Sequence, residues 1–205
     1  MARSAGTPTP VRTIGVLALQ GGWAAHKAAV ADLGHTAVEI RTAEQLDAVD
    51  GLCLPGGEST THLKLIERFD LADPLDRFVK SGRPVLATCA GLILCARAVE
   101  PRQHSFGWLD VEVARNAWGR QVHSFEGAAD TPPAGGPFAG QDPLHLLFIR
   151  APRITALGPA VQVLAALDGE PIMVRQGAVI GAAFHPELTP DRRVHRLAFG
   201  DPSIG

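Results

Sequence analysis

Pro84-Val85-Leu86-Ala87-Thr88-Cys89-Ala90-Gly91-Leu92-Ile93-Leu94 passes from an apolar, strand-like segment straight into an apolar, helix-like one, with a single cysteine at the junction. The pattern predicts a strand over 84–87 and a helix from 90 to about 98. A strand that turns directly into a helix strains the residue at the turn, the layout of a nucleophile elbow with cysteine in place of serine. Bulky side chains two places before or after the turn would collide, and those places hold Ala87 and Gly91. The start of the following helix carries a partial positive charge suited to a sulfur nucleophile, and the Ala90 N–H can serve an oxyanion. The competing explanation is a buried structural cysteine, which is how Cys53 and Cys95, lacking these surroundings, are read.

Working outward, short apolar runs alternate with helix-like stretches on the N-terminal side. Strands are expected at 13–19, 37–40 and 51–54. A first helix carries Trp23, Val30 and Leu33 and stops at Gly34. A second carries Leu63 and Ile66, capped by Ser59 or Thr60, and a third starts at Asp73-Pro74 and runs through Leu75, Phe78 and Val79 to about Gly82. That alternation predicts an α/β domain with an open, mostly parallel sheet and helices on both faces. On the C-terminal side strands are expected at 108–113, 122–125, 145–149, 161–166, 172–176 and 179–183, with few helical periods between them. The Gly, Ala and Pro-rich stretch 127–141 is expected to be a surface loop. One domain over 13–200 follows, preceded by a disordered leader at 1–12.

Composition narrows the function. With 205 residues the chain can bury roughly 70% of its unfolded surface without metal or disulfide staples. Nineteen cationic and 21 anionic side chains leave a net charge of −2, so no single-signed field draws it to nucleic acid or an anionic membrane. No apolar run approaches the ~18 residues of a membrane span, and the first ten residues lack the apolar segment of a signal peptide. A cytoplasmic location is expected. Three cysteines, an odd number without ligand spacing, argue against a disulfide framework or a metal site. Gly21-Gly22 and Gly56-Gly57 do not form a dinucleotide fingerprint, so no cofactor is expected.

A thiol nucleophile needs a base in reach. Of eight histidines, only His185 follows a buried-type strand and precedes a carboxylate, Glu187, across a stiffening proline. In extended backbone, residues i and i+2 point the same way, so Glu187 is placed to orient the ring. The remaining histidines, His26 and His195 among them, are read as solvated or structurally satisfied. Leu54-Pro55-Gly56-Gly57-Glu58-Ser59 bares backbone N–H groups, either as half of an oxyanion cradle or as a plain strand-to-helix turn.

Together these segments resemble the class I, triad-type glutamine amidotransferases. The runs Leu17-Ala18-Leu19-Gln20-Gly21, Pro55-Gly56-Gly57-Glu58-Ser59-Thr60-Thr61, Thr88-Cys89-Ala90-Gly91-Leu92-Ile93-Leu94, Phe148-Ile149-Arg150-Ala151-Pro152 and Phe184-His185-Pro186-Glu187-Leu188-Thr189 look like the family of glutaminase subunits of pyridoxal 5'-phosphate synthase. The likeness covers about Thr13 to Arg196. It implies a flavodoxin-like open sheet and hydrolysis of L-glutamine by a Cys89, His185, Glu187 triad. It implies substrate contacts at Gly56, Gly57, Glu58, Arg115, Ile149 and Arg150; the residues themselves point to the Gly57 and Ala90 N–H groups as the oxyanion donors. It also implies ammonia transfer to a barrel-shaped synthase subunit in a hetero-oligomer, whose docking activates the site near Gln20 and Gly21. The run Arg115-Asn116-Ala117-Trp118-Gly119 departs from that family's Ser-Phe-Gly form, and Gly22-Trp23-Ala24-Ala25-His26 is more apolar than usual there. The alternatives are an amidotransferase serving histidine or purine synthesis, a free-standing glutamyl hydrolase, and a non-catalytic glutamine-binding regulator.

Overall fold

Strands without polar alternation are stable only where both faces are covered, and such strands fill the middle of the sheet. The computed structural model describes residues 10–115, 124–132 and 134–200. The first half runs β1 (Thr13–Leu17), α1 (Trp23–Asp32), β2 (Thr36–Ile40), α2 (Ala43–Asp47), β3 (Gly51–Leu54), α3 (Ser59–Arg68), α4 (Ala72–Lys80), β4 (Val85–Thr88) and α5 (Ala90–Cys95). There follow β5 (Ala96–Glu100), β6 (Leu109–Ala114), β7 (Ser124–Ala128), β8 (His145–Ile149), β9 (Arg153–Leu157), β10 (Gln162–Leu167), β11 (Glu170–Gln176), β12 (Val179–Ala182), a 3-10 turn at Pro186–Leu188 and α6 (Arg193–Phe199).

Among the described residues the main sheet has seven strands in the order β10-β11-β12-β4-β3-β1-β2. The five from β12 to β2 are parallel, and β11 and β10 add an antiparallel edge. Every residue of β3, β4 and β12 is buried, as their almost wholly apolar sequences require, and the one polar residue, Thr88, is satisfied by a hydrogen bond to His26. The register sorts the helices onto two faces. Ile14 pairs with Gly51 and Cys53 with Leu86, so Ile14, Gly51, Cys53, Leu86 and Thr88 share one face. Gly51 on that face lies against the Phe199 ring of α6, and Thr88 bonds His26 of α1. Gly181 points the other way, against Leu92 of α5. The fold is thus the expected α/β sheet with helices on both faces.

Several boundaries differ from the sequence expectations, for local reasons. The helix after Cys89 ends at Cys95, and residues 96–100 form a strand beside β6. All six residues of α5 are buried, so another turn would carry Arg97 into the core; extended backbone instead takes it out to Asp110 and Glu112 at 3.2 and 2.8 Å. The α3 cap is Glu58, whose carboxylate accepts from Thr60 N–H, rather than Ser59 or Thr60. Asp73 lies in the first turn of α4, which begins one residue earlier. Helices α2 and α6 and strand β9 were not anticipated. The stretch 127–141 is not wholly a surface loop: Gly127 and Ala128 belong to β7, and Ala129 and Phe138 are buried. Of the strand expected at 122–125, residues 122 and 123 lie outside the described residues, as do 1–9 of the leader. Arg12 is held by bonds to His35 and the Phe199 carbonyl. No described helix is long and apolar enough to cross a membrane.

Candidate active site

Three neighbouring parallel strands, β12, β4 and β3, end at one sheet edge, and each runs on into a chemically distinctive segment. In α/β sheets this carboxyl edge opens onto the ligand crevice. Beyond β4, Cys89 sits at φ 48°, ψ −103°, a conformation that costs a non-glycine residue of order 1–3 kcal/mol. Its N–H donates to the Ala182 carbonyl at 2.8 Å, holding the turn against the next strand. A Cβ on Gly91 would stand 2.1 Å from the Leu54 carbonyl oxygen, so only glycine lets the helix leave the elbow at this angle.

Beyond β12, the chain continues to His185, whose N–H donates to the Leu147 carbonyl of β8 at 2.8 Å. Glu187, expected to orient the His185 ring, does not reach it along extended backbone in the way the i, i+2 rule predicts. Pro186–Leu188 coils into a 3-10 turn, and that turn swings Glu187 back so that Oε1 lies 2.7 Å from His185 Nδ1. Beyond β3, Gly56 packs against both His185 and Cys89: a Cβ there would be 2.4 Å from His185 Cε1 and 3.3 Å from Cys89 Cβ. Gly57, at φ 148°, is crossed by Gln20, whose amide donates to the Glu58 carbonyl at 2.9 Å.

These segments enclose a cavity of about 400 Å³ lined by Cys89, His185, Glu187, Gly56, Gly57, Glu58, Arg115, Ile149 and Arg150. Ala90 is buried behind the lining. Cys89 is 5% exposed, and its Sγ is 3.9 Å from the Ile149 carbonyl oxygen. Arg150 turns the chain at φ 45° as β8 ends. Arg115 donates to Gln103 at 2.6 Å and reaches Glu58 at 3.4 Å. The residues after Arg115 that depart from the family pattern lie outside the described residues. Gln20, Gly22, Ser59, Ile93 and Leu188 also line the cavity. Among the described residues no group of His, Cys, Asp and Glu could hold a metal ion.

Behind the cavity lies a set of contacts that sequence reasoning missed. Glu187 Oε2 is 3.4 Å from His26 Nε2, His26 Nε2 is 2.9 Å from Thr88 Oγ1, and His26 Nδ1 is 3.0 Å from His195 Nε2. All four side chains are buried. Helical spacing from Trp23 to Val30 was the available signal for His26, since it lies between them on the packed side of α1.

Burial alone would keep His185 neutral, but hydrogen bonds from its ring to Cys89 and Glu187, and their charges, push its pKa up to about 10. Burial likewise opposes the Glu187 charge; His26 and His185 outweigh it and bring the pKa to about 2. Burial holds His26 below the usual histidine range and, with His26 beside it, takes His195 to about 3. At neutral pH the site is therefore an imidazolium and a carboxylate backed by two neutral imidazoles.

The signs of these shifts set a stability profile. Below pH 6.5 the unfolded chain binds protons at His26 and His195 that the folded chain refuses, so stability falls as pH drops. Glu187 adds a further loss from 4.5 down to about 2, whereas the His185 contribution is complete below 6.5 and is lost as pH rises to about 10. Urea unfolding between about pH 4 and 7 is expected to show a falling midpoint on the acid side and a shallower fall in His195→Gln. Equal slopes would contradict the buried neutral assignment.

The sequence profile of the SNO glutamine amidotransferase family matches residues 16–200. Among curated relatives, the pyridoxal 5'-phosphate synthase subunit PdxT of Frankia alni is 50% identical over 187 residues, 90% of this chain and 92% of that one. The PdxT subunit of Carboxydothermus hydrogenoformans is 48% identical over 184 residues, 89% of this chain and 94% of that one. A crystal structure of a glutamine amidotransferase matches with a TM-score of 0.83 at 42% identity, covering 93% of this chain and 99% of that chain. The structure of PurLQS from Thermotoga maritima, at 16% identity, shares the fold: its TM-score is 0.66, with 91% of this chain and 96% of that chain covered.

Proposed function

This chain belongs to the SNO glutamine amidotransferase family, and from that premise we propose that it is the glutaminase subunit of a pyridoxal 5'-phosphate synthase, hydrolysing L-glutamine to glutamate and delivering the ammonia to a synthase subunit. The observation that carries the reading is the junction of Cys89, His185 and Glu187 in one cavity, with Gly56 packed against both Cys89 and His185. Cys89 sulfur, as the thiolate paired with the His185 imidazolium, attacks the side-chain amide carbon of glutamine. The N–H groups of Gly57 and Ala90 take the oxyanion, each such donor contributing about 3 kcal/mol. His185 passes its proton to the amide nitrogen, the C–N bond breaks, ammonia leaves and a glutamyl thioester remains. Now neutral, His185 removes a proton from water; the hydroxide adds to the thioester carbon, and loss of the thiolate releases glutamate and restores the ion pair.

Arg115 or Arg150 takes the α-carboxylate of the substrate by a two-pronged contact. For Arg115 this exchanges the weak 3.4 Å approach to Glu58 for a full ion pair. A nucleophilic thiol has to stay reduced, which suits the cytoplasm, and all three cysteines are unpaired. The assignment to the vitamin B6 branch rests on the two PdxT relatives, which match along nearly their whole length. The test is glutamate release with and without a pyridoxal 5'-phosphate synthase barrel subunit. Addition of that subunit is expected to raise turnover about tenfold or more; no response to it, with stimulation by another acceptor enzyme, would overturn the assignment.

A further inference from the structure

We propose that His26, locked by His195 and Thr88, is a positioning residue that fixes the Glu187 carboxylate against His185, extending the reading above from three residues into the core. Glu187 has one oxygen on His185 Nδ1 at 2.7 Å. Its other oxygen, Oε2, is buried and accepts no hydrogen bond of ordinary geometry among the described residues. What faces that oxygen is His26 Nε2 at 3.4 Å, both side chains being fully buried. A buried carboxylate oxygen is costly to leave facing nothing, so the tautomer of His26 decides whether this contact helps or harms.

The neighbouring bonds settle the tautomer. One of His26 Nδ1 and His195 Nε2 must carry the hydrogen in their 3.0 Å contact. If it is His26 Nδ1, then His26 turns a lone pair toward the Glu187 carboxylate, and the remaining hydrogen of neutral His195 sits on Nδ1. That atom has no partner among the described residues, so a donor would be stranded in the core, a larger loss than an idle acceptor. If it is His195 Nε2, both faults vanish: His26 carries N–H on Nε2, bonds Thr88 Oγ1 at 2.9 Å and leans on Glu187 Oε2. His195 Nδ1 is then an unused lone pair. Thr88 immediately precedes Cys89, and Gly22, one turn before His26, stands close enough that a Cβ there would be 3.3 Å from Glu187 Oε1. The carboxylate thus faces the start of α1, whose His26 is held in turn from β4 and α6.

Two experiments on the full-length protein test this. In 15N-histidine NMR of the wild type, His26 is expected as the Nε2–H tautomer; an Nδ1–H tautomer overturns the proposal whether or not any variant folds. In glutaminase assays with the synthase subunit present, His26→Leu is expected to lower kcat about 10–100-fold with KM changed less than about twofold, and His26→Gln, which keeps an N–H donor, to recover most of the loss. Undiminished kcat in His26→Leu overturns it, as does an equal loss in a folded His26→Gln. Failure of the amidase reading is separable: Cys89→Ala would then match the wild type, while the tautomer measurement would stand unaffected.

Discussion

Cys89→Ala is expected to lose glutamine hydrolysis by about 10⁴-fold or more while remaining folded. The size follows from the chemistry: without sulfur there is no thioester, and water held in the cavity must attack the amide directly with only the oxyanion donors assisting. The fold should survive because the elbow depends on Gly91 and on the Cys89 N–H bond to Ala182, neither of which involves the thiol. Alanine pays the same backbone strain at φ 48° as cysteine does. The check is single-turnover glutamate release alongside thermal unfolding; retained turnover in a folded variant would remove the proposed nucleophile.

Glu187→Gln is expected to cost about 10³–10⁴-fold in kcat with little change in KM. The amide is nearly the shape of the carboxylate, so the 3-10 turn at Pro186–Leu188 can persist. Its charge is gone, however, and if its NH₂ turns toward His185 Nδ1 the ring is driven to the tautomer with hydrogen on the nitrogen that must accept the thiol proton. The attraction that raises His185 toward a pKa of about 10 is also lost, so less of the ring is imidazolium at neutral pH to protonate the leaving nitrogen. Steady-state kinetics of the purified variant read this directly, and a loss confined to KM would assign Glu187 to substrate binding instead.

What the sequence made legible was set by the range of the interactions involved. The strands β3, β4 and β12 are apolar apart from the buried Thr88 at the end of β4, the composition that a parallel strand covered on both faces favours, so their positions were readable to within a residue. The Cys89 turn was readable because its constraints are local: small residues at 87 and 91 and an abrupt change of period. The end of α5 was not, because Ala96 and Val99 are compatible with a helix and only the solvent demand of Arg97 decides against it. The pairing of Glu187 with His185 was anticipated on an extended geometry, yet it is made by a tight turn; the side-chain chemistry was visible in sequence and the backbone path was not.

His26 and His195 show the other limit. They lie 169 positions apart, and nothing local to either one distinguishes a core histidine that faces a buried carboxylate from one that is merely satisfied. Only the stacking of α1 and α6 on the same face of the sheet brings them under Glu187. Gln20 is a similar case, since its bonds to Glu58 across the Gly56-Gly57 turn join segments 38 residues apart.

The central claim is that one sulfur, Cys89, attacks the glutamine side chain. A glutamine analogue carrying an electrophilic carbon in place of the amide, incubated with the full-length protein and its synthase partner and followed by peptide mass mapping, tests it most directly. The account predicts one adduct per chain, on Cys89, formed in step with loss of glutaminase activity. Inactivation with the adduct on Cys53 or Cys95, or on no cysteine at all, would contradict it.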